Sequence, residues 1–287
     1  MYNTILVPTD GSEGAKAAAR HGLNLANAFD SKVQFLSVVD DRAYSSSLAG
    51  IDSAANDQRE ALERQASNAL QVLEGLVDET PSTYQTAIEH GVPHETIRSS
   101  ADEHDVDLIA MGTHGRTGLD RYLIGSVAER VVRTSDVPVL TAQTKPEESS
   151  GYDRIVIPTD GSDTATVAVD HGLAIAEQYD ATVHALSVVE LSAVAGSYDV
   201  PSMIESLTER CERTVESVAE ECENRGLDVV ADVVEGTPYQ AIQKYIRSEE
   251  IDLVAMGTHG RTGLGRYLIG SVTERIVRTS DIPVLTV

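Results

Sequence analysis

The sequence predicts an α/β fold: two tandem domains, each a five-stranded parallel sheet with helices on both faces. Short apolar, β-branched runs alternate with helical patterns, and the connections leave little room for anything but crossovers. The runs are apolar throughout, as strands buried between two helical layers require. The chain also repeats itself. Residues 107–141 and 252–286 agree at 30 of 35 positions without a gap, differing at Ile109/Val254, Asp120/Gly265, Ala128/Thr273, Val131/Ile276 and Val137/Ile282. With 287 residues there is room for two domains of about 140.

Taken in order, Thr4-Ile5-Leu6-Val7 reads as a buried strand. It ends in Pro8-Thr9-Asp10-Gly11-Ser12, which is turn and helix-start chemistry. Residues 12–29 are helical in pattern, with Ala15, Ala18, Ala19, Leu23 and Ala26 near one face. A second strand spans 32–39, and 40–56 is a polar connection. The next helix covers 57–77, with Leu62, Ala66, Ala69, Leu73 and Leu76 near helical spacing. Residues 84–89 alternate as a third strand that stops at Gly91, and 93–104 form a short helix. Strand four, 107–111, runs into a glycine-rich loop. Helix 126–135 and strand 137–141 close the domain. Residues 144–151 are polar, contain Pro and Gly, and read as a linker between domains 1–143 and 152–287. Arg154 to Ser162 then restarts the first strand and turn. The copies are offset by 150 residues at the first strand and by 145 at the glycine loop. The missing residues fall between, where 40–56 and 190–202 diverge most, and a ligand preference can differ there.

The formal charge is −24, with 11 basic against 21 acidic residues in 1–143 and 11 against 25 in the rest. Nucleic acid is a poor partner for so acidic a surface. Only Lys16, Lys32, Lys145 and Lys244 are lysines, a balance that looks like proteins of salt-in halophiles. Cys211 and Cys222 fall on one helical stretch, about 16 Å apart along its axis, too far to bridge. No zinc site, oxidising compartment or other protein-only metal site is expected. No apolar run is long enough for a membrane span, and no leader pattern opens the chain, so a soluble cytoplasmic protein is expected.

The glycine loop carries the chemistry. Gly112-Thr113-His114-Gly115, nine residues, then Gly125-Ser126 recurs as Gly257-Thr258-His259-Gly260, nine residues, then Gly270-Ser271. Each copy lies past the carboxyl end of a strand, where open parallel sheets bind ligands. Glycine permits positive φ and close approach of backbone amides to an anion, and the following helix offers unpaired N–H groups. Ser126-Val127-Ala128-Glu129 and Ser271-Val272-Thr273-Glu274 also fit capping boxes, which would make the serines helix caps that touch no ligand. Asp10 has the same ambiguity, with Glu13 three residues on.

With its Pro-Thr-Asp-Gly-Ser openings, this pattern resembles the universal stress protein family in its ATP-binding branch, over both halves of the chain. The nucleotide motif Gly-x2-Gly-x9-Gly-Ser/Thr is complete in each copy. No Lys follows the last glycine, so this is not a Walker A loop. The resemblance implies a Rossmann-like fold of the adenine nucleotide α-hydrolase type, with one ATP site per domain. Pro8, Thr9 and Asp10 would line the adenosine side, and Val38 would meet adenine through its backbone. Residues Gly112, Thr113, His114, Gly115, Arg116, Thr117 and Gly118 would wrap ribose and phosphates. Gly125, Ser126, Val127 and Ala128 would reach the outer phosphates. The second set is Pro158, Thr159, Asp160, Val188, Gly257, Thr258, His259, Gly260, Arg261, Thr262, Gly263, Gly270, Ser271, Val272 and Thr273. Arg116 and Arg261 either pair with phosphate or sit in solvent, and Arg121 and Arg266 face solvent or a domain interface. His114 and His259 are read as shaping the loop, Tyr122 and Tyr267 as packing. Magnesium would come with the ATP.

The implied role is a stress-response or energy-sensing binding module. The alternative is a slow ATPase or phosphotransferase on the same sites, although no general base is set against a nucleophile and no catalytic residue is assigned. The resemblance further implies that strand 139–141 pairs with 284–286 in an intramolecular pseudo-dimer, with a homodimer of chains also open.

Overall fold

The computed structural model of the chain describes residues 1–42, 52–77, 83–115, 124–143, 151–191, 200–260 and 269–287. It divides into two compact units, Met1–Pro146 and Glu147–Val287. The first runs β1 (Thr4–Pro8), α1 (Glu13–Phe29), β2 (Lys32–Asp40), α2 (Asp52–Val77), β3 (Tyr84–Gly91), α3 (Pro93–Glu103), β4 (Leu108–Gly112), α4 (Ser126–Thr134) and β5 (Val139–Ala142). All its strand pairs are parallel, and β1 lies between β2 and β4, with β3 outside β2 and β5 outside β4. The winding direction therefore reverses between β1 and β4. That reversal opens a crevice at the carboxyl ends of the two strands.

The second unit repeats the plan with β6 (Arg154–Pro158), α5 (Asp163–Tyr179), β7 (Thr182–Val189), α6 (Val200–Arg225), β8 (Val229–Glu235), α7 (Pro238–Ser248), β9 (Leu253–Met256), α8 (Ser271–Thr279) and β10 (Val284–Thr286). Here β6 lies between β7 and β9, with β8 and β10 outside. In the first unit α1 packs with α2 and α3 with α4, and in the second α5 packs with α6 and α7 with α8. These are the two helical layers that the apolar strands call for.

The central strands are buried on both faces, with Ile5, Leu6, Val7, Leu108, Ile109 and Ala110 closed to solvent in one unit and Ile155, Val156, Ile157, Leu253, Val254 and Ala255 in the other. Helix α1 lies close to its sheet because its buried face is small. Ala15, Ala18, Ala19, Leu23 and Ala26 are buried as the periodicity requires. A Cβ at Gly22 would stand 3.1 Å from both Ala110 and Val7. Asp30 and Asp180 end α1 and α5 in left-handed conformation, at φ 53° and 54°.

Two element starts differ from the sequence reading by two or more residues. Helix α2 begins at Asp52, inside the segment read as a connection. Its polar opening turn carries no apolar stripe, so periodicity is silent there. Strand β5 begins at Val139 rather than at Val137. The Ser135 hydroxyl donates to Val137 O at 2.7 Å and accepts from Val137 N at 3.2 Å, holding that residue in a turn. His90 and His94 stand at His-x3-His spacing, but one lies at the end of β3 and the other opens α3 beside Pro93, off a common helical face. Among the described residues no group of three or more His, Cys, Asp or Glu is placed to hold a metal. Cys211 and Cys222 are buried free thiols on α6. No described helix is long and apolar enough to cross a membrane.

Buried histidines predict an acid-side loss of stability. Burial, with a smaller contribution from Arg20, lowers His21 from 6.5 to about 4, and burial also lowers His171 and His184. Below pH 6.5 the unfolded chain binds protons that the folded chain refuses. The stabilisation is therefore complete above pH 6.5 and is lost as pH falls towards 4. Urea unfolding at constant salt is expected to show a loss of about 1–3 kcal/mol over that window, reduced in His21→Gln.

Candidate functional site

The crevice of each unit is lined first by the turn after its central strand. Thr9 N donates to Leu36 O at 2.8 Å and Thr9 O accepts from Ser37 Oγ at 3.0 Å, which fixes the turn against β2. Gly11 N donates to Thr9 Oγ1 (3.1 Å) and Ser12 N to Asp10 Oδ1 (3.0 Å), with Gly11 at φ +82°. The two side chains thus bend the backbone two residues on. The cap of α1 is Ser12, which accepts from Ala15 N at 3.2 Å, so Asp10 is not a helix cap. The second unit repeats these bonds with Thr159, Asp160, Gly161, Ser162 and Ser187.

The glycine loop is tied to that turn. Ser12 Oγ donates to His114 O at 3.2 Å, and in the second unit Thr164 Oγ1 takes this role on His259 O at 2.5 Å. None of Gly112, Gly115, Gly257 and Gly260 has positive φ, so the sequence-based argument from conformation does not hold there. Close approach explains them instead. A Cβ on Gly115 would meet Asp10 Oδ2 at 2.8 Å, and one on Gly260 would meet Asp160 Oδ2 at 2.9 Å. Gly125 N donates to Thr113 O at 2.7 Å, bringing the head of α4 back to the loop.

The capping boxes do not form. Gly125 and Gly270 are the N-caps, in extended conformation, and Ser126 and Ser271 are the exposed first residues of α4 and α8. Glu129 N bonds Gly125 O at 2.9 Å, and the amides of Ser126, Val127 and Ala128 have no acceptor within the helix. The serine hydroxyls are thereby left for something outside the helix. Thr273 differs: its hydroxyl donates to Gly257 O at 2.8 Å and is spent on the loop.

His114 and His259 hold the loop through Nδ1, which lies 2.9 and 3.0 Å from the preceding threonine hydroxyl. Thr258 Oγ1 donates to Val287 O at 2.9 Å and so accepts from His259, which assigns the ring proton to Nδ1. Nε2 is buried on the other side of the ring. In both histidines it has no hydrogen-bond partner among the described residues. That geometry fits the loop-shaping role.

In the second unit these residues enclose a cavity of about 490 Å³. Of the residues proposed from sequence, Pro158, Thr159, Asp160, Val188, Gly257, His259, Gly260, Gly270, Ser271, Val272 and Thr273 line it. Thr258 does not line it, and its hydroxyl is bonded to Val287 O. In the first unit Pro8, Thr9, Asp10, Val38, Gly112, Thr113, His114, Gly115, Gly125, Ser126, Val127 and Ala128 take the corresponding places at the ends of β1, β2 and β4 and the head of α4. Arg116, Thr117, Gly118, Arg261, Thr262 and Gly263 lie outside the described residues, as do Arg121, Arg266, Tyr122 and Tyr267. Sequence reasoning missed one wall. Leu207, Arg210, Cys211 and Thr214 of α6 border the cavity at a three-four-seven helical spacing, and Ile242 of α7 joins them. The spacing is visible in the sequence, but it carries the mark of packing and not of a ligand.

The Universal stress protein family model matches residues 1–143 and again 151–287. A universal stress protein of Methanocaldococcus jannaschii is 38% identical over 141 residues, covering 47% of this chain and 82% of its own. A second from that organism is 32% identical over 157 residues, covering 50% and 97%. Among solved structures, a universal stress protein of Archaeoglobus fulgidus superposes with a TM-score of 0.73 at 21% identity over 100% of this chain and 98% of its own, a likeness of fold.

Proposed function

The chain belongs to the universal stress protein family, and we propose that each of its two domains binds an adenine nucleotide, ATP with its magnesium, as a stress-response or energy-sensing module. The observation that carries this reading is the second-unit cavity. Its volume of about 490 Å³ suits a small ligand, and its walls bring the glycine loop and the open first turn of α8 together. Helix amides and a close-packed glycine loop suit a phosphate chain. Asp160 Oδ1 accepts from Ser162 N at 3.0 Å, which holds the carboxylate at the turn lining the crevice, and a carboxylate suits ribose hydroxyls better than phosphate. Magnesium would be held chiefly by the phosphates.

The chain is expected to bind two equivalents of nucleotide at saturation, seen by native mass spectrometry and by titration calorimetry with Mg-ATP. Absence of binding at either site would remove the reading. The second reading, slow hydrolysis or phosphotransfer, is tested by phosphate release, and turnover above about 1 per second would favour it.

The acidic, lysine-poor composition supports a protein adapted to concentrated salt. Self-repulsion of a −24 chain is screened within about 3 Å at 1 M salt. Tm is therefore expected to rise from 0.1 to 2 M KCl, and a flat or falling Tm would contradict the halophilic assignment. Tandem domains fit an intramolecular pair, and light scattering in molar salt tests for a further dimer of chains.

A further inference from the structure

The two sites share a loop but not their walls. The β2–β3 and β7–β8 registers set Tyr84 beside Val33 and Val229 beside Val183, so the copies are offset by 145 residues at β3 and β8. The same offset aligns the buried stripe Ala66, Leu70, Leu73 and Val77 of α2 with Cys211, Val215, Val218 and Cys222 of α6. Arg210 and Thr214, which border the second cavity, then correspond to Gln65 and Ala69. Among the described residues, the second site therefore carries a guanidinium at this helix position where the first has the neutral Gln65.

That guanidinium is available. Arg213, one turn on, pairs with Glu209 at 3.8 Å, whereas Arg210 makes no ion pair among the described residues. Asp160 and Glu190 border the cavity, and Arg210 is the Lys or Arg that borders it among the described residues. The first domain's counterpart of Glu190 is Asp40, and the cation beside it is already engaged: Arg42 forks Asp40 through Nε at 2.8 Å and Nη2 at 2.7 Å. A second, independent difference lies in the loop. Thr273 Oγ1 ties Gly257 O at 2.8 Å, and Ala128 in the first domain has no hydroxyl to do the same. The other tie is balanced, since Ser12 and Thr164 each bond the loop histidine's carbonyl.

We propose that the two nucleotide sites are unequal, the second domain holding the tight one and the first the weak one, with Arg210 as the main determinant and Thr273 as a positioning residue for the loop. This rests on the nucleotide binding proposed above. Arg210 attracts the nucleotide's negative charge. Thr273 sets the loop before the ligand arrives, so less ordering is needed on binding. A chain with such sites fills the second domain at low nucleotide and the first only as the concentration rises.

Titration calorimetry of the full chain with Mg-ATP, repeated at several salt concentrations, tests this. Two classes of site are expected, about tenfold or more apart. Arg210→Gln, which writes the first domain's residue into the second, should weaken the tight class by about tenfold and flatten its salt dependence while leaving the weak class in place. Gln65→Arg should tighten the weak class. Thr273→Ala should weaken the tight class a few-fold without changing its salt dependence. Arg210 is exposed, and circular dichroism confirms that its variant is folded. Two equal sites in the parent chain, or a tight class untouched by Arg210→Gln, would overturn the inequality. Failure of every chain to bind nucleotide would overturn the binding function itself, a distinguishable result.

Discussion

Gly112→Ala is expected to destabilise the first domain by about 2–3 kcal/mol, and Gly257→Ala to cost the second clearly less. The added Cβ at position 112 would lie 2.5 Å from the Gly14 carbonyl carbon, 2.7 Å from Gly14 O and 2.7 Å from Ala15 N. All three are backbone atoms of α1, so no side chain can rotate out of the way, and either β4 or the helix must shift. At Gly257 the nearest atoms are Thr164 C and O at 3.0 Å and Thr164 Oγ1 at 3.1 Å. The gap is wider there because Thr164 carries a side chain where Gly14 has none. The converse also follows: a Cβ on Gly14 would meet His114 O at 2.7 Å, so Gly14→Thr does not transplant the second domain's tie into the first. Hydrogen exchange of α1 and α5 amides reads the two domains separately. Equal losses of protection in the two variants would show that the half-ångström difference between these approaches has no energetic weight.

The parallel architecture was legible because β1, β4, β6 and β9 are apolar on both faces and because the chain contains a second copy of itself. The position of β1 between β2 and β4 was not, since strand pairing is a long-range choice that periodicity does not encode. The site was legible as a set of positions and less so as a set of reasons. Glycine at 112 and 115 serves close approach, and spacing alone does not separate that use from a left-handed turn. Ser126 and Glu129 satisfy a capping-box pattern, yet Gly125 takes the cap, because a glycine in extended conformation starts the helix one residue earlier. Asp10 was open to two readings, and the neighbouring Ser12 took the capping role. The wall formed by α6 stayed hidden for another reason. Its cavity-facing stripe mixes Leu207 and Cys211 with Arg210 and Thr214, so half of it reads as core and half as solvent face.

Gly115→Ala and Gly260→Ala are expected to separate binding from folding. The nearest atom to a Cβ at Gly115 is Asp10 Oδ2 at 2.8 Å, and at Gly260 it is Asp160 Oδ2 at 2.9 Å; the next in each case is the same residue's carboxyl carbon at 3.9 Å. These are ends of side chains, so the fold can yield by moving a carboxylate, and stability should change by less than about 1.5 kcal/mol. The site cannot yield so easily. Asp10 Oδ1 accepts from Ser12 N and Asp160 Oδ1 from Ser162 N, both at 3.0 Å, so displacing either carboxylate disturbs the turn that lines the crevice. The methyl group would also press on the carboxylate proposed to meet the ribose hydroxyls. A loss of about 30-fold or more in affinity, roughly 2 kcal/mol, is expected at the altered site. Each single variant should then retain one nucleotide per chain and the double variant none, with thermal unfolding close to that of the parent. Under the inequality proposed for the two sites, Gly260→Ala removes the tight class and Gly115→Ala the weak one. A double variant that still carries two nucleotides would place them away from the glycine loops, and the cavity at the ends of β6 and β9 would need a different ligand.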